Sequence, residues 1–273
     1  MSLPVNCLRT TCPVDKVRSA AGGFIARYYS VLVVLAGWEL LSRSGAVSRR
    51  LVPNLEQIWA ALVHFALSGD LEYHAGITLE RAFIGFTAAI VAGVILGTLF
   101  ARTRWFERLF EPVFLFGYPI PKISLYPVLI FVFGVSDASK IALIFLECLY
   151  PITLQTLLGM RSADRALVWA AQNMGATRRQ LFWNVLVPSA APSIFAGIRI
   201  ALPIAFIVTI ITEIIGGSRG LGFVVAFQSS SFEYARALAA IACIGVIGFA
   251  FDRALIGLRN RVIFWQKDAS AIS

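Results

Sequence analysis

Long apolar segments alternate with short polar ones along this chain, and that alternation predicts a bundle of membrane-crossing helices. The apolar runs fall at about 24–42, 77–101, 109–133, 140–159, 191–216 and 235–255. A helix needs roughly 20 apolar residues to cross the hydrocarbon core, so about six crossings are expected, the first slightly short. Between the first two runs, Pro53, Asn54, Leu55 and Glu56 lead into Ile58, Trp59, Leu62, Val63 and Phe65. That spacing predicts a short helix lying on the membrane surface, capped by Asn54 and ended by Gly69-Asp70.

Finer patterns within the runs predict how the helices pack. In the second run Ala89, Gly93, Gly97 and Ala101 recur every fourth residue, a small-residue stripe that permits close helix–helix approach. The last run carries Ala239, Ala242, Gly245 and Gly248 at three-residue steps. The third run holds Pro112, Pro119, Pro121 and Pro127. Each internal proline frees a backbone carbonyl, which lipid does not tolerate unless protein or a water-filled cavity covers it. A bent helix beside a pathway is expected there. The Gly216–Gly222 stretch predicts a flexible turn; it lacks the Lys-Ser/Thr ending of a phosphate loop.

Composition agrees with the pattern: the 273 residues are 58% hydrophobic and only 14% charged, with a formal net charge of +9. Soluble domains carry about 25% charged residues. The basic residues fall between apolar runs instead of on one face, which points to membrane topology and not to nucleic acid. Segments 1–27, 102–108, 161–187 and 257–273 hold fourteen Lys and Arg, against five in 42–76, 134–140 and 217–234. Positive charge favours the cytoplasmic side, so both termini and the segment after the fourth run should face inward. Residues 1–23 show no cleavable signal peptide. Cys7, Cys12, Cys148 and Cys243 have neither zinc-site nor disulfide spacing, and His64 and His74 have no metal partner at helical spacing.

Charges inside the apolar runs are the candidate chemistry, because each is costly unless paired, hydrated or neutral. Glu39 is expected to snorkel at the end of the first run. Lys122 and Glu147 lie at membrane depth; Glu147 either lines a solute path or pairs with Lys122 or Arg199. Thr209 and Glu213, four apart, share a helix face. Together with Pro119 and Pro121, Glu147, Thr209 and Glu213 are the candidates for a path or its gate.

The stretch Trp169–Pro188, WAAQNMGATRRQLFWNVLVP, lies between the fourth and fifth apolar runs and is amphipathic. Gly175 should break it into helix, turn, helix, with Pro188 standing at a boundary. A hairpin in a cytoplasmic loop is a docking device. The pattern Ala170-Ala171, three residues, Gly175, nine residues, Val185-x-Val187-Pro188 resembles the loop motif of inner-membrane permeases of binding-protein-dependent ABC importers. Tyr118–Pro127, the Gly-Leu-Gly after the fifth run and the basic, Trp-containing tail Arg259–Trp265 are similar to segments of the permeases for nitrate, sulfonates and taurine. Trp169 stands where that family usually has Glu, so an ion pair from that position to the ATPase is not carried over.

The resemblance implies an all-α membrane protein of the type I ABC importer permease fold, with a cytoplasmic coupling hairpin between helices 4 and 5. Its organisation would be a polar segment 1–23, a permease domain 24–256 with its coupling loop at 160–188, and a basic tail 257–273. Trp169, Ala170, Ala171, Gly175, Ala176, Thr177, Arg178 and Pro188 would form the ATPase-coupling element. The expected partners are a second copy of the permease, two ABC ATPase subunits, a periplasmic or extracellular binding protein and the bilayer, with no nucleic acid. The chain has no Walker A sequence, so ATP and Mg would bind the partner ATPase. The solute would be nitrate, a sulfonate, taurine, bicarbonate or a pyrimidine precursor, in a bacterial inner membrane. An ion-coupled secondary transporter is the alternative; it would often show two internal repeats, which this chain lacks, and would leave the hairpin unexplained.

Overall fold

The computed structural model describes residues 29–45, 48, 51–117 and 120–265. Every regular element among them is helical. In chain order they are α1 (29–43), α2 (Leu55–Leu67), α3 (Asp70–Arg102), α4 (Arg104–Gly117), a 3-10 turn (Lys122–Leu125), α5 (Tyr126–Phe133) and α6 (Asp137–Arg161). Next come α7 (Arg165–Asn173), α8 (Arg178–Leu181), a π-helical segment (Phe182–Leu186), α9 (Val187–Gly216), α10 (Leu221–Ser230) and α11 (Tyr234–Val262). The N-terminal segment 1–23, Cys7, Cys12, Pro119 and the end of the tail lie outside the described residues.

Among the described residues, four stretches are long and apolar enough to cross a membrane: α3, α6, the run from Arg178 to Gly216, and α11. The first apolar run is described only from residue 29, and the third is split. Proline chemistry explains the split. Pro112 lies within α4, Pro121 precedes the 3-10 turn, and Pro127 sits in the first turn of α5, where a missing N–H costs nothing. Two helices joined by a turn therefore replace the expected single bent helix. Helices also begin earlier than hydropathy alone indicates. The polar residues Asp70, Glu72 and His74 form the first turns of α3, and α6 opens at Asp137.

The centre of the bundle is α6 held between α3 and α9. Close approach is set by small residues: a β-carbon on Gly93 would come 2.8 Å from Ile152 Cγ2, and one on Gly97 would come 2.6 Å from the Thr153 carbonyl oxygen. Without a hydrophobic force between helices in lipid, this van der Waals contact is what binds them. Ala89, Leu143, Ile144, Cys148, Ile152, Ala201 and Ala205 fill the seam. The small residues of α11 divide differently. Ala239 is buried, whereas Ala242 is exposed and Gly245 and Gly248 face open space.

Surface helix α2 packs on α11 and α3. Its start is tied to α1. Gln57 accepts the Asn54 N–H at 3.1 Å, the Ser42 hydroxyl donates to Asn54 Oδ1, and Trp38 donates to the Pro53 carbonyl at 3.0 Å. Glu39 takes part as well, accepting from Leu55 N at 3.0 Å while pairing with Arg43 at 2.6 Å.

Candidate functional site

The predicted hairpin forms beyond the ends of α6 and α9. Asp164 caps α7, accepting from Ala166 N at 2.8 Å. The chain then turns at Gly175, whose φ of +81° is a left-handed conformation that glycine adopts without strain. The Ala176 N–H closes the turn on the Ala171 carbonyl at 3.0 Å. Thr177 caps the second arm through a reciprocal box with Gln180. Ala171 is buried, Ala176 and Pro188 are half-buried, and Ala170 and Arg178 are exposed. Trp169 is 63% exposed and Met174 81% exposed, so the loop presents apolar side chains outward beside Arg165, Arg178 and Arg179.

Pro188 does not end the second arm, as its chemistry had led us to expect. From Arg178 to Gly216 the helix runs unbroken for 39 residues. The π segment makes this possible: the Val187 N–H reaches back five residues to the Phe182 carbonyl, and Pro188 then falls in the first turn of α9. The hairpin arm is thus continuous with a membrane helix. Arg102, at the end of α3, lies 4.6 Å from the Phe182 ring centroid and adds a cation–π contact at this junction.

At the opposite end of the bundle, polar groups converge. Glu213, fully buried on α9, accepts from Arg81 Nη1 at 2.8 Å, from the Thr78 hydroxyl at 3.0 Å and from Gly222 N at 2.9 Å. Arg81, 3% exposed on α3, also pairs with Asp137 at 2.6 Å, and Asp137 pairs with Arg219 at 2.9 Å. Charges alternate along Glu213, Arg81, Asp137 and Arg219. Gly220 has φ +109° and donates its N–H to His74 Nδ1 at 3.0 Å; a β-carbon there would lie 2.3 Å from the Glu213 carboxyl carbon. The Gly216–Gly222 turn is therefore pinned, not flexible.

The candidates for the path fall into different surroundings. Thr209 and Glu213 are both fully buried with their oxygens engaged inside the chain, Thr209 donating to Ala205 O at 2.7 Å. They therefore back the helix wall in this chain instead of lining an open path. Pro121 is exposed. Glu147 is half-buried with no ion-pair or hydrogen-bond partner among the described residues. Neither expected pairing forms: Lys122 sits 4.4 Å from the Tyr150 ring centroid, and Arg199 pairs with Asp252 at 3.3 Å. Sequence reasoning passed over Arg81, Thr78 and Asp137. The signal was Arg81 itself, a cation inside the second apolar run that required a carboxylate.

Comparison with known proteins settles what this arrangement belongs to. Residues 89–263 match the family described as the binding-protein-dependent transport system inner membrane component. The chain belongs to that family. The aliphatic sulfonates transport permease SsuC of Escherichia coli (strain K12), a putative assignment in its own name, is 33% identical over 73% of this chain and 76% of that protein. Formylaminopyrimidine transport permease ThiX of Halalkalibacterium halodurans is 33% identical over 86% of this chain and 94% of that protein. Taurine transport permease TauC of Escherichia coli (strain K12) is 28% identical over 87% and 88% of the two chains. Among solved structures, a chain of the inward-facing MetNI methionine ABC transporter superposes with TM-score 0.59 at 20% identity, over 68% of this chain and 93% of that one. That likeness shows the fold, an ABC importer permease bundle. The inner-membrane component is thus a multi-pass transport subunit of an ABC importer.

Proposed function

We propose that this permease works as one of two copies, driven by two ABC ATPase subunits at its cytoplasmic face and supplied by a binding protein outside. The observation that carries this is the hairpin at 160–188, continuous with α9 and set at the basic end of the bundle. In this scheme ATP and Mg bind the ATPases, whose closure moves the hairpins, and the bundles rock as rigid bodies. Trp169, Ala170, Ala171, Gly175, Ala176, Thr177 and Arg178 make the docking surface, and Pro188 marks where it joins the membrane helix. Because Trp169 is exposed, the ATPase meets an aromatic ring there and not a carboxylate.

The names of the relatives support a small polar solute such as a sulfonate, taurine or a pyrimidine; nitrate and bicarbonate belong to the same proposal. Glu147 is the path residue we favour, because it is the membrane-depth carboxylate left without a partner among the described residues. An unpaired carboxylate suits a zwitterion or a neutral heterocycle better than a simple anion.

The test is Gly175→Glu against Gly175→Asn. Open space surrounds Gly175, so neither side chain clashes, but Asn tolerates a positive φ and Glu does not. Gly175→Asn is expected to keep uptake. Gly175→Glu is expected to stay in the membrane while losing both co-purification of the ATPase and solute-stimulated ATP hydrolysis. Unchanged uptake by Gly175→Glu would overturn the docking role.

A further inference from the structure

A cavity of about 260 Å³ opens among α2, the start of α3, α10 and the start of α11, at the end of the bundle away from the hairpin. Its lining carries both signs of charge, Asp70 and Arg236. The two do not pair with each other. Asp70 accepts from the Ser68 hydroxyl at 3.0 Å and has no ion-pair partner among the described residues, while Arg236 holds Glu233 at 2.8 Å, with half its side chain exposed. Opposite charges that share a cavity without closing on each other leave room for a ligand that meets both.

The rest of the lining sharpens the chemistry. His74 accepts the Gly220 N–H at Nδ1, which fixes its proton on Nε2 and makes that atom a donor. Gln228 adds amide donors on the same wall. Phe223 and Phe227 stack with ring centroids 5.7 Å apart, and Phe65 faces the cavity from α2. Aromatic faces beside a carboxylate favour an ammonium. A guanidinium with neutral N–H donors favours a sulfonate, carboxylate or phosphate. A simple anion would meet Asp70, and a simple cation would meet Arg236.

We propose that this cavity binds a small zwitterion, its ammonium held by Asp70 and the phenylalanines and its anionic group by Arg236, His74 and Gln228. The ligand is either a free amino acid or aminosulfonate, or the headgroup of phosphatidylethanolamine reached from the adjacent bilayer. The site lies outside the seam of α3, α6 and α9 and is independent of the path proposed above.

The test uses the full-length chain in nanodiscs of phosphatidylglycerol, with labelled taurine as the free probe and equilibrium dialysis as the readout. Ethanesulfonate and ethylamine, each carrying one half of the charge, serve as competitors. A second arm adds phosphatidylethanolamine and measures its retention by native mass spectrometry. Asp70→Asn and Arg236→Gln are each expected to weaken the bound species about tenfold or more, the worth of one charged hydrogen bond. Glu233→Gln breaks the neighbouring ion pair but leaves the cavity's charges, so it is expected to keep binding and controls for structural damage. Taurine binding lost in the two variants identifies a free zwitterion as ligand. Lipid retention lost in them, without taurine binding, identifies the headgroup. The proposal is overturned if neither probe distinguishes the variants from the native chain, or if ethanesulfonate competes as well as taurine itself.

Discussion

At the scale of single residues, the Arg81–Glu213 contact shows how a charge survives inside a membrane protein. Each ion is almost completely buried, and each has more than one partner. Attraction in a low-dielectric setting offsets desolvation only when the remaining hydrogen-bonding capacity is also satisfied. Removing one ion is therefore worse than removing both. Arg81→Met should cost about 3–5 kcal/mol, because Glu213 is left buried without its counter-charge. The double variant Arg81→Met with Glu213→Leu should cost clearly less than the two single changes added together. Thermal unfolding in detergent gives all the corners of that cycle, and additivity would show the pair to be inert. A second check at this scale is Gly220→Ala, which meets both an unfavourable φ and the Glu213 carboxylate, and should cost about 2 kcal/mol or more. Glu213 was recognisable in the sequence as an unusual charge, but its partner was not, because the two residues lie 132 positions apart. Spacing rules reach three or four residues along a helix, and the fold alone brings α3 to α9.

At the scale of elements, hydropathy located the membrane helices because lipid imposes a length and forbids exposed backbone polar groups. It placed the starts of α3 and α6 too late, since the first turns of both helices are polar, and Asp137 of the charge network opens α6. The hairpin was legible from Gly175, where only a left-handed turn fits, but the π segment was not. Pro188 had marked a boundary, whereas the wider π ladder carries the helix through it. That device has a mechanical consequence. The hairpin arm and α9 form one rod, so motion of the hairpin is transmitted without a flexible joint, and the unbroken run through Pro188 depends on the extra residue. Deleting Asn184 should make the Val187 N–H to Phe182 carbonyl bond an ordinary α rung, set the Pro188 ring against the carbonyl four residues before it and so kink the hairpin arm relative to α9. The variant is expected to reach the membrane at native levels yet lose solute-stimulated ATP hydrolysis when assembled with its ATPase. Retained coupling would mean that the π segment is only a packing accommodation.

For the whole molecule, the two ends of the bundle differ in chemistry as well as in position. One end carries the hairpin, Arg102 and the tail, and gathers most of the loop arginines and lysines. The other holds the neutralised network of Glu213, Arg81, Asp137 and Arg219, together with α2, α10 and the mixed-charge cavity. Basic loops resist translocation, so the first end should be cytoplasmic; the paired charges at the second end carry little net topological signal and would not oppose transfer outward. Cysteine labelling separates this orientation from its inverse. All four native cysteines must first be replaced; Cys148 and Cys243 are buried free thiols, not held in a disulfide. Single cysteines are then placed at Ser231, exposed after α10, and at Thr177, exposed at the turn of the hairpin. In intact cells a membrane-impermeant maleimide should label Ser231→Cys but not Thr177→Cys, and permeabilised cells should label both. The reverse pattern would put the hairpin outside, beyond reach of any ATPase in the cytoplasm. It would remove the basis for ATP-driven coupling through this loop, while leaving the family and the fold untouched.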